Sequence, residues 1–183
     1  MTIIGKMYIH FLILLTGIFS CAFQTSGERE YQVKAAFLFN FTQFVEWPAG
    51  SSEATGSPFV IGILGENPFG NYLREIIAGE RVNGHLLTIQ QYKNADEIKL
   101  CHILFINPTD NKHIREVITA LKGRSILTVS DAANFIDAGG MIRLSTINNK
   151  IRIQVNPAKA KEAGLTISAK LLGVADIVSP NNN

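Results

Sequence analysis

Along residues 31–48, YQVKAAFLFNFTQFVEWP, apolar side chains recur at helical spacing. At 100° per residue, Val33, Phe37, Leu38, Phe41, Phe44 and Val45 share one broad side, while Gln32, Asn40, Gln43 and Glu46 gather on a narrow opposite stripe. The pattern predicts an amphipathic helix over about 28–47 with a wide buried face. Thr25-x-x-Glu28 has capping-box spacing at its start, and Pro48 stops it by forcing Trp47 into extended geometry. Lys34, Phe39 and Trp47 break the pattern, because Lys34 points into the apolar side and both aromatics lie in the polar stripe. One reading lets Lys34 snorkel from the first turn and sets the aromatics against a neighbouring loop. The other pairs Lys34 with a carboxylate and makes Phe39 with Trp47 a patch that faces a partner.

Farther on, 59–64 is apolar on both faces, as expected of a central strand. The Gly-rich turn 65–70 leads into a helix carrying Leu73, Ile76 and Ile77. It is not a phosphate loop: Asn71 and Tyr72 stand where Lys and Ser or Thr would be needed, and Glu66 would repel an anion. Residues 86–92 alternate like a strand nearer an edge, 94–100 suit one helical turn, and 101–106 reads as a second buried strand. Asp110 is placed to cap a helix whose Ile114, Val117, Ile118 and Leu121 form one stripe, ended by Gly123. A further strand over 126–129 runs into Ser130-Asp131, which would start a short helix over 132–137 closed by Gly139-Gly140. The alternating runs 141–147 and 150–155 flank Asn148-Asn149, a pair suited to a tight hairpin. Asn156-Pro157 then reads as an N-cap with proline at the first helical position, and a last helix is expected over 168–178. Residues 181–183 should fray.

Strands separated by helices, followed by a hairpin, predict an α/β three-layer sandwich: a Rossmann-like, mostly parallel sheet with an antiparallel edge hairpin. The dinucleotide signature of that architecture is missing.

Length and composition narrow this further. A chain of 183 residues with 46% hydrophobic content suits one compact domain, here 23–183. The net charge of +2 is too small, and the Lys and Arg too scattered, to suggest nucleic-acid binding. Lys6 precedes the apolar run 11–19, which is shorter than the roughly 20 residues of a bilayer span, so 1–22 reads as a signal peptide and the mature chain as exported. Ser20-Cys21-Ala22 fits ordinary cleavage before Phe23, 18–21 loosely fits a lipobox with Cys21 acylated, and an uncleaved anchor is the third reading. Cys101 is the other thiol, so no internal disulfide forms in the folded part; opening an apolar run, it reads as a small buried hydrophobe.

Catalytic chemistry is hard to find. There is no Gly-x-Ser-x-Gly elbow and no His-Glu-x-x-His. His85, His102 and His113 make no ligand pair at helical spacing, so neither a metal nor a cofactor is expected. Asp131 ends a strand where α/β sites gather, but as a general base it lacks a visible partner and reads as a helix cap.

A set of segments in order resembles the YfiR-like family. It opens with Tyr31-x-Val33-Lys34-Ala35-Ala36-Phe37-Leu38-x-Asn40-Phe41 and Phe44-Val45-Glu46-Trp47-Pro48. It continues through Ile63-Leu64-Gly65-x-Asn67-Pro68-Phe69-Gly70, the run 101–106, the run 127–131, and Gly139-Gly140-Met141-Ile142. It closes on Ile153-x-Val155-Asn156 and Gly164-Leu165-x-Ile167-Ser168-x-Lys170-Leu171-Leu172, about 31–178 in all. The resemblance implies a non-enzymatic periplasmic repressor that binds the periplasmic part of a membrane diguanylate cyclase, limiting cyclic di-GMP and biofilm formation. It also implies release by an outer-membrane lipoprotein or by redox stress, the latter at odds with the unpaired Cys101. The alternative is a small-ligand sensor acting on a sensor kinase, with a closed cleft above the strand ends at 65–69 and 130–131.

Binding without catalysis asks for a rigid scaffold with a few anchors. Phe39 with Trp47 is one candidate surface. The hairpin is the other, with Arg143, Arg152 and Gln154 on one face and Ile151, Ile153 and Val155 on the other. As a sheet edge it would also serve a homodimer or augment a partner's sheet. Lys34 and Cys101 are assigned structural roles.

Overall fold

The computed structural model describes residues 26–49, 56–107 and 111–178. The leader with Cys21, Thr25, most of the link after Ala49, Asp110 and the terminal asparagines lie outside the described residues.

The first helix, α1, runs Ser26–Phe44. Its end comes earlier than expected, because Val45–Glu46 leaves the helix as β1 and pairs antiparallel with β9, Thr166–Ile167. Pro48 imposes extended geometry on its predecessor, and the pairing of Val45 with Ile167 carries that geometry back to the end of α1.

Among the described residues the main sheet has eight strands. In spatial order they are β10 (Asp176–Ile177), β8 (Lys150–Val155), β7 (Ile142–Ile147), β6 (Leu127–Ser130), β5 (Ile103–Ile106), β2 (Phe59–Leu64), β4 (His85–Tyr92) and β3 (Arg81–Val82). Neighbours run parallel except at the two hairpins, β7 with β8 and β3 with β4.

Helices cover both faces. On one, Leu38 and Phe41 of α1 and Leu73 of α2 (Tyr72–Ile77) pack on Ile61, Ile63, Phe105 and Leu144. On the other, Ile114 and Val117 of α3 (Asn111–Ala120) pack with Phe135 on Leu64, Leu104 and Ile106. This is the three-layer α/β sandwich that the strand and helix pattern predicted. The central strands β2, β5 and β6 are buried throughout, which is why their sequences run apolar on both faces. Asn148 and Asn149 turn the β7–β8 hairpin at φ 51° and 58°. The Asn156 side chain accepts from the Lys159 N–H at 3.1 Å to cap α4, Pro157–Glu162.

Besides the early end of α1, the structure differs from expectation in five places. The buried stripe of α1 is narrower, comprising Lys34, Ala35, Leu38, Phe41 and Thr42, with Val33 at 44% exposure and Phe37 and Phe44 half-buried. A helix lying flat on one sheet touches it along a limited arc, so flanking positions stay partly wet. Residues 133–139 form successive turns instead of a helix. Phe135 there reaches the core beneath Gly140, where an added Cβ would stand 2.3 Å from its ring. The last helix, α5, is only Ala169–Leu172, and the chain then extends into β10. A short hairpin through Asn83 (φ 51°) and Gly84 (φ 85°) adds β3. Finally, β7–β8 is not the outermost pair along its whole length, because β10 lies beside Gln154 and Val155.

Candidate functional site

Lys34 is almost fully buried, at 2% exposure, and its ammonium meets Glu30 one turn back and Asp131, both at 2.5 Å. The Tyr31 hydroxyl donates to the same Asp131 oxygen at 2.9 Å, and the ammonium lies 4.4 Å from the centre of the Tyr31 ring. Asp131 therefore does not cap a helix. The Ser130 hydroxyl accepts from the Ala132 N–H instead, which frees the Asp131 carboxylate to neutralise the buried cation. Tyr31 also packs edge-on against Phe69, which in turn packs edge-on against Phe105. The ends of β2 and β6 nearest this cluster are thus filled by side chains, where the ligand-sensor reading placed its cleft.

Burial alone would raise the Glu30 carboxyl, but hydrogen bonds from Lys34 and from the Thr146 hydroxyl outweigh it and hold the group below its usual value. Burial, together with the Asp131 charge, pushes the Tyr31 phenol upward, so it remains a hydrogen-bond donor. A cation shared by two carboxylates and covered by a ring is a structural tie between α1 and the sheet.

At its other end α1 helps to form an open groove of about 710 Å³, facing β3. Phe39, Thr42, Glu46, Trp47, Arg81 and His85 line it. Phe39 and Trp47 are therefore brought to one groove, as half-buried walls instead of an exposed patch. Trp47 also has a packing duty: its indole N–H donates to the His102 carbonyl at 3.2 Å, and its ring meets Phe59 edge-on. Phe59 stacks on the His102 ring at 4.2 Å, and the His102 Nδ1 accepts from the Val60 N–H. That bond leaves no proton on Nδ1, so His102 is fixed as a core residue. The His85 Nδ1 lies 2.6 Å from the Ser57 carbonyl, which can only accept, so this nitrogen carries the proton.

The hairpin places its three residues as the alternation predicted. Arg143 stands opposite Gln154 and Ser145 opposite Arg152. The Arg143 Nη1 donates to the Gln154 Oε1 at 2.9 Å, while its Nε is buried without an acceptor among the described residues.

A family model described as YfiR/HmsC-like (DUF4154) matches residues 31–176, most of the chain. The chain belongs to this family. The family's theme is regulation in periplasmic cyclic di-GMP signalling and not catalysis. Among the described residues, no helix is long and apolar enough to cross a membrane, and no group of three His, Cys, Asp or Glu is arranged to hold a metal ion.

In this member Cys101 is buried, and burial pushes its thiol up to about 12, so it is protonated and unreactive near neutrality. Its Sγ donates to the Ile103 carbonyl at 3.2 Å. Sequence reasoning missed the roles of Glu30, Tyr31 and His102. Glu30 and Lys34 have the i, i+4 spacing of a helical ion pair, a signal that was available. Tyr31 and His102 act across long sequence separations and left no local mark.

Proposed function

We propose that this protein is a periplasmic binding protein that restrains the periplasmic part of a membrane diguanylate cyclase by direct contact, limiting cyclic di-GMP and surface attachment. The family match over residues 31–176 carries the reading. The geometry supports it through what the reactive-looking residues do: Lys34, Asp131, Tyr31, His102 and Cys101 are committed to packing and internal bonds. What remains for a partner is the groove at Phe39 and Trp47 and the Arg143–Gln154–Arg152 face of the hairpin. A repressor of this kind acts by binding the inactive state of its partner more tightly than the active one.

Deleting the gene should raise cyclic di-GMP and attachment, and the intact gene should reverse both. Unchanged cyclic di-GMP in cells that carry such a cyclase would overturn the proposal. It also requires export, with 1–22 removed as a signal peptide. Mass spectrometry of the mature protein should find an N-terminus near Phe23, whereas a diacylated Cys21 would make it a lipoprotein.

One observation favours the second reading, a small-ligand sensor acting on a sensor kinase. A cavity of about 480 Å³ opens beside the start of β6, with Ile118, Leu121 and Met141 among its apolar walls and Lys122, Arg124 and Lys159 among its charged ones. A metabolite screen by thermal shift, with Met141→Trp filling the cavity as control, separates this reading from the first.

A further inference from the structure

Among the described residues, the β7–β8–β10 corner combines a free strand edge with cations that make no ion pair. Strand β8 pairs with β7 along Lys150 to Val155, but β10 accompanies it only at Gln154 and Val155. Lys150, Ile151, Arg152 and Ile153 therefore have no strand on their outer side among the described residues. The direction of their backbone groups follows from two neighbouring bonds. The Val155 carbonyl points outward, accepting from the Val178 N–H at 2.8 Å, whereas the Asn156 N–H points inward to the Met141 carbonyl. Backbone groups alternate along a strand, so Ile153 and Ile151 direct theirs outward, as Val155 does.

The side chains on the two faces of this edge differ. Toward α1, Ile153 is buried and Ile151 half-buried, and Ile177 of β10 is 53% exposed in register with Val155. On the opposite face Arg143 and Arg152 are diagonal neighbours across the hairpin, and Lys150 and Arg152 are exposed. Neither arginine makes an ion pair among the described residues. Gln154 orients the Arg143 guanidinium, whose buried Nε still lacks an acceptor.

We propose that the free edge of β8 receives an extended acidic segment of the partner protein, added as a strand end to end with β10. Its carboxylates would meet Arg152 and Arg143 on one face, and its apolar residues would cover Ile151 on the other. This deepens the proposed function and rests on it, by naming the surface and the chemistry of the partner. The charges select the occupant. Two copies paired antiparallel through this edge would set Arg152 against Arg152, or Lys150 against Arg152, and like charges directly opposite are destabilising. A strand alternating Glu with Val or Ile meets each side with its complement and supplies the backbone pairing that an edge lacks.

The test uses a synthetic ten-residue peptide alternating Glu and Val, and its Lys-for-Glu counterpart, against the isotopically labelled full chain. The acidic peptide should shift the amides of Ile151, Arg152 and Ile153 and leave those lining the Phe39 groove in place. The Lys peptide should not bind, and Arg152→Glu should weaken the acidic peptide at least tenfold with circular dichroism unchanged. Equal binding of both peptides, shifts confined elsewhere, or a dimer that Arg152→Glu tightens would overturn the proposal. In a deletion strain complemented with Arg152→Glu, cyclic di-GMP should stay high. Restoration of repression by that variant would sink this edge while leaving the repressor role intact, whereas a deletion without effect would sink the repressor role itself.

Discussion

Two clusters of charge, one where α1 meets the end of β6 and the other on the β7–β8 hairpin, have opposite fates. At the first, Lys34 is buried between Glu30 and Asp131 beneath the Tyr31 ring. At the second, Arg143 has a glutamine for company and Arg152 stands in solvent, with no acid paired to it among the described residues. The contrast teaches that a cation's meaning lies in its partners. An ammonium removed from water is tolerable only when it is neutralised and hydrogen-bonded, so the first cluster is spent within the fold. A guanidinium with unused donors keeps its capacity for a carboxylate supplied from outside.

The comparison is broken most severely by Asp131→Ala, which leaves the buried ammonium with Glu30 alone and orphans the Tyr31 hydroxyl. Urea titration should show a loss of about 3–5 kcal/mol, the range for removing one partner of a buried pair. Lys34→Met should cost less, about 1–2 kcal/mol, because the carboxylates it abandons are both partly reached by water. An effect within ~0.5 kcal/mol would show instead that Lys34 acts like a surface residue.

Acid probes the same tie more gently. The Glu30 carboxyl is held below its ordinary 4.5 in the folded protein, so the unfolded chain binds the proton more readily. Its contribution is complete above about pH 4.5 and is lost as pH falls through the folded value. Glu30→Gln should therefore flatten the acid limb of a stability–pH curve. Alkali does the reverse at Cys101, whose thiol rises from 9.0 to about 12 on folding. Stability from that group is complete below pH 9 and declines as pH climbs toward 12, and Cys101→Ala should remove this slope. The smallest effect belongs to Arg152→Glu, expected to leave stability within ~0.5 kcal/mol while it weakens acidic-peptide binding at least tenfold. A loss of several kcal/mol would erase the distinction between the two clusters.

Much of this fold was legible in the sequence because its signals are local. Runs apolar on both faces marked β2, β5 and β6, and Asn148-Asn149 marked the hairpin. Asn156-Pro157 marked the start of α4. What escaped depended on distant partners. Gly173, which ends α5, was a local stop signal that the reading of one helix over 168–178 passed over, whereas the pairing of Ile177 with Val155 left no local mark. The turns at 133–139 replace a helix because Phe135 must pass under Gly140, a contact invisible to periodicity. The Asn83-Gly84 hairpin, by contrast, carried a strong local signal and was missed. At the hairpin, alternation set Arg143, Arg152 and Gln154 on one face but did not show that Arg143 would be half-buried with its Nε covered. Trp47 stayed open between packing on a neighbouring segment and facing a partner, because no local rule shows that His102 and Phe59 wait for it across the fold.

The small sheet of β1 and β9 has a consequence for how the chain is made. Val45 pairs with Ile167, and the Ser168 N–H reaches back to the Phe44 carbonyl at 2.8 Å. The helix that covers one face of the sheet is thus fastened by residues near the far end of the polypeptide. A nascent chain holds α1 long before its fastener exists, and its apolar stripe must wait uncovered or loosely docked. Closing so long a loop is slow, and such intermediates are the ones that aggregate or need a chaperone. Assembly order is in this way written into the topology: the first helix is the last to be secured.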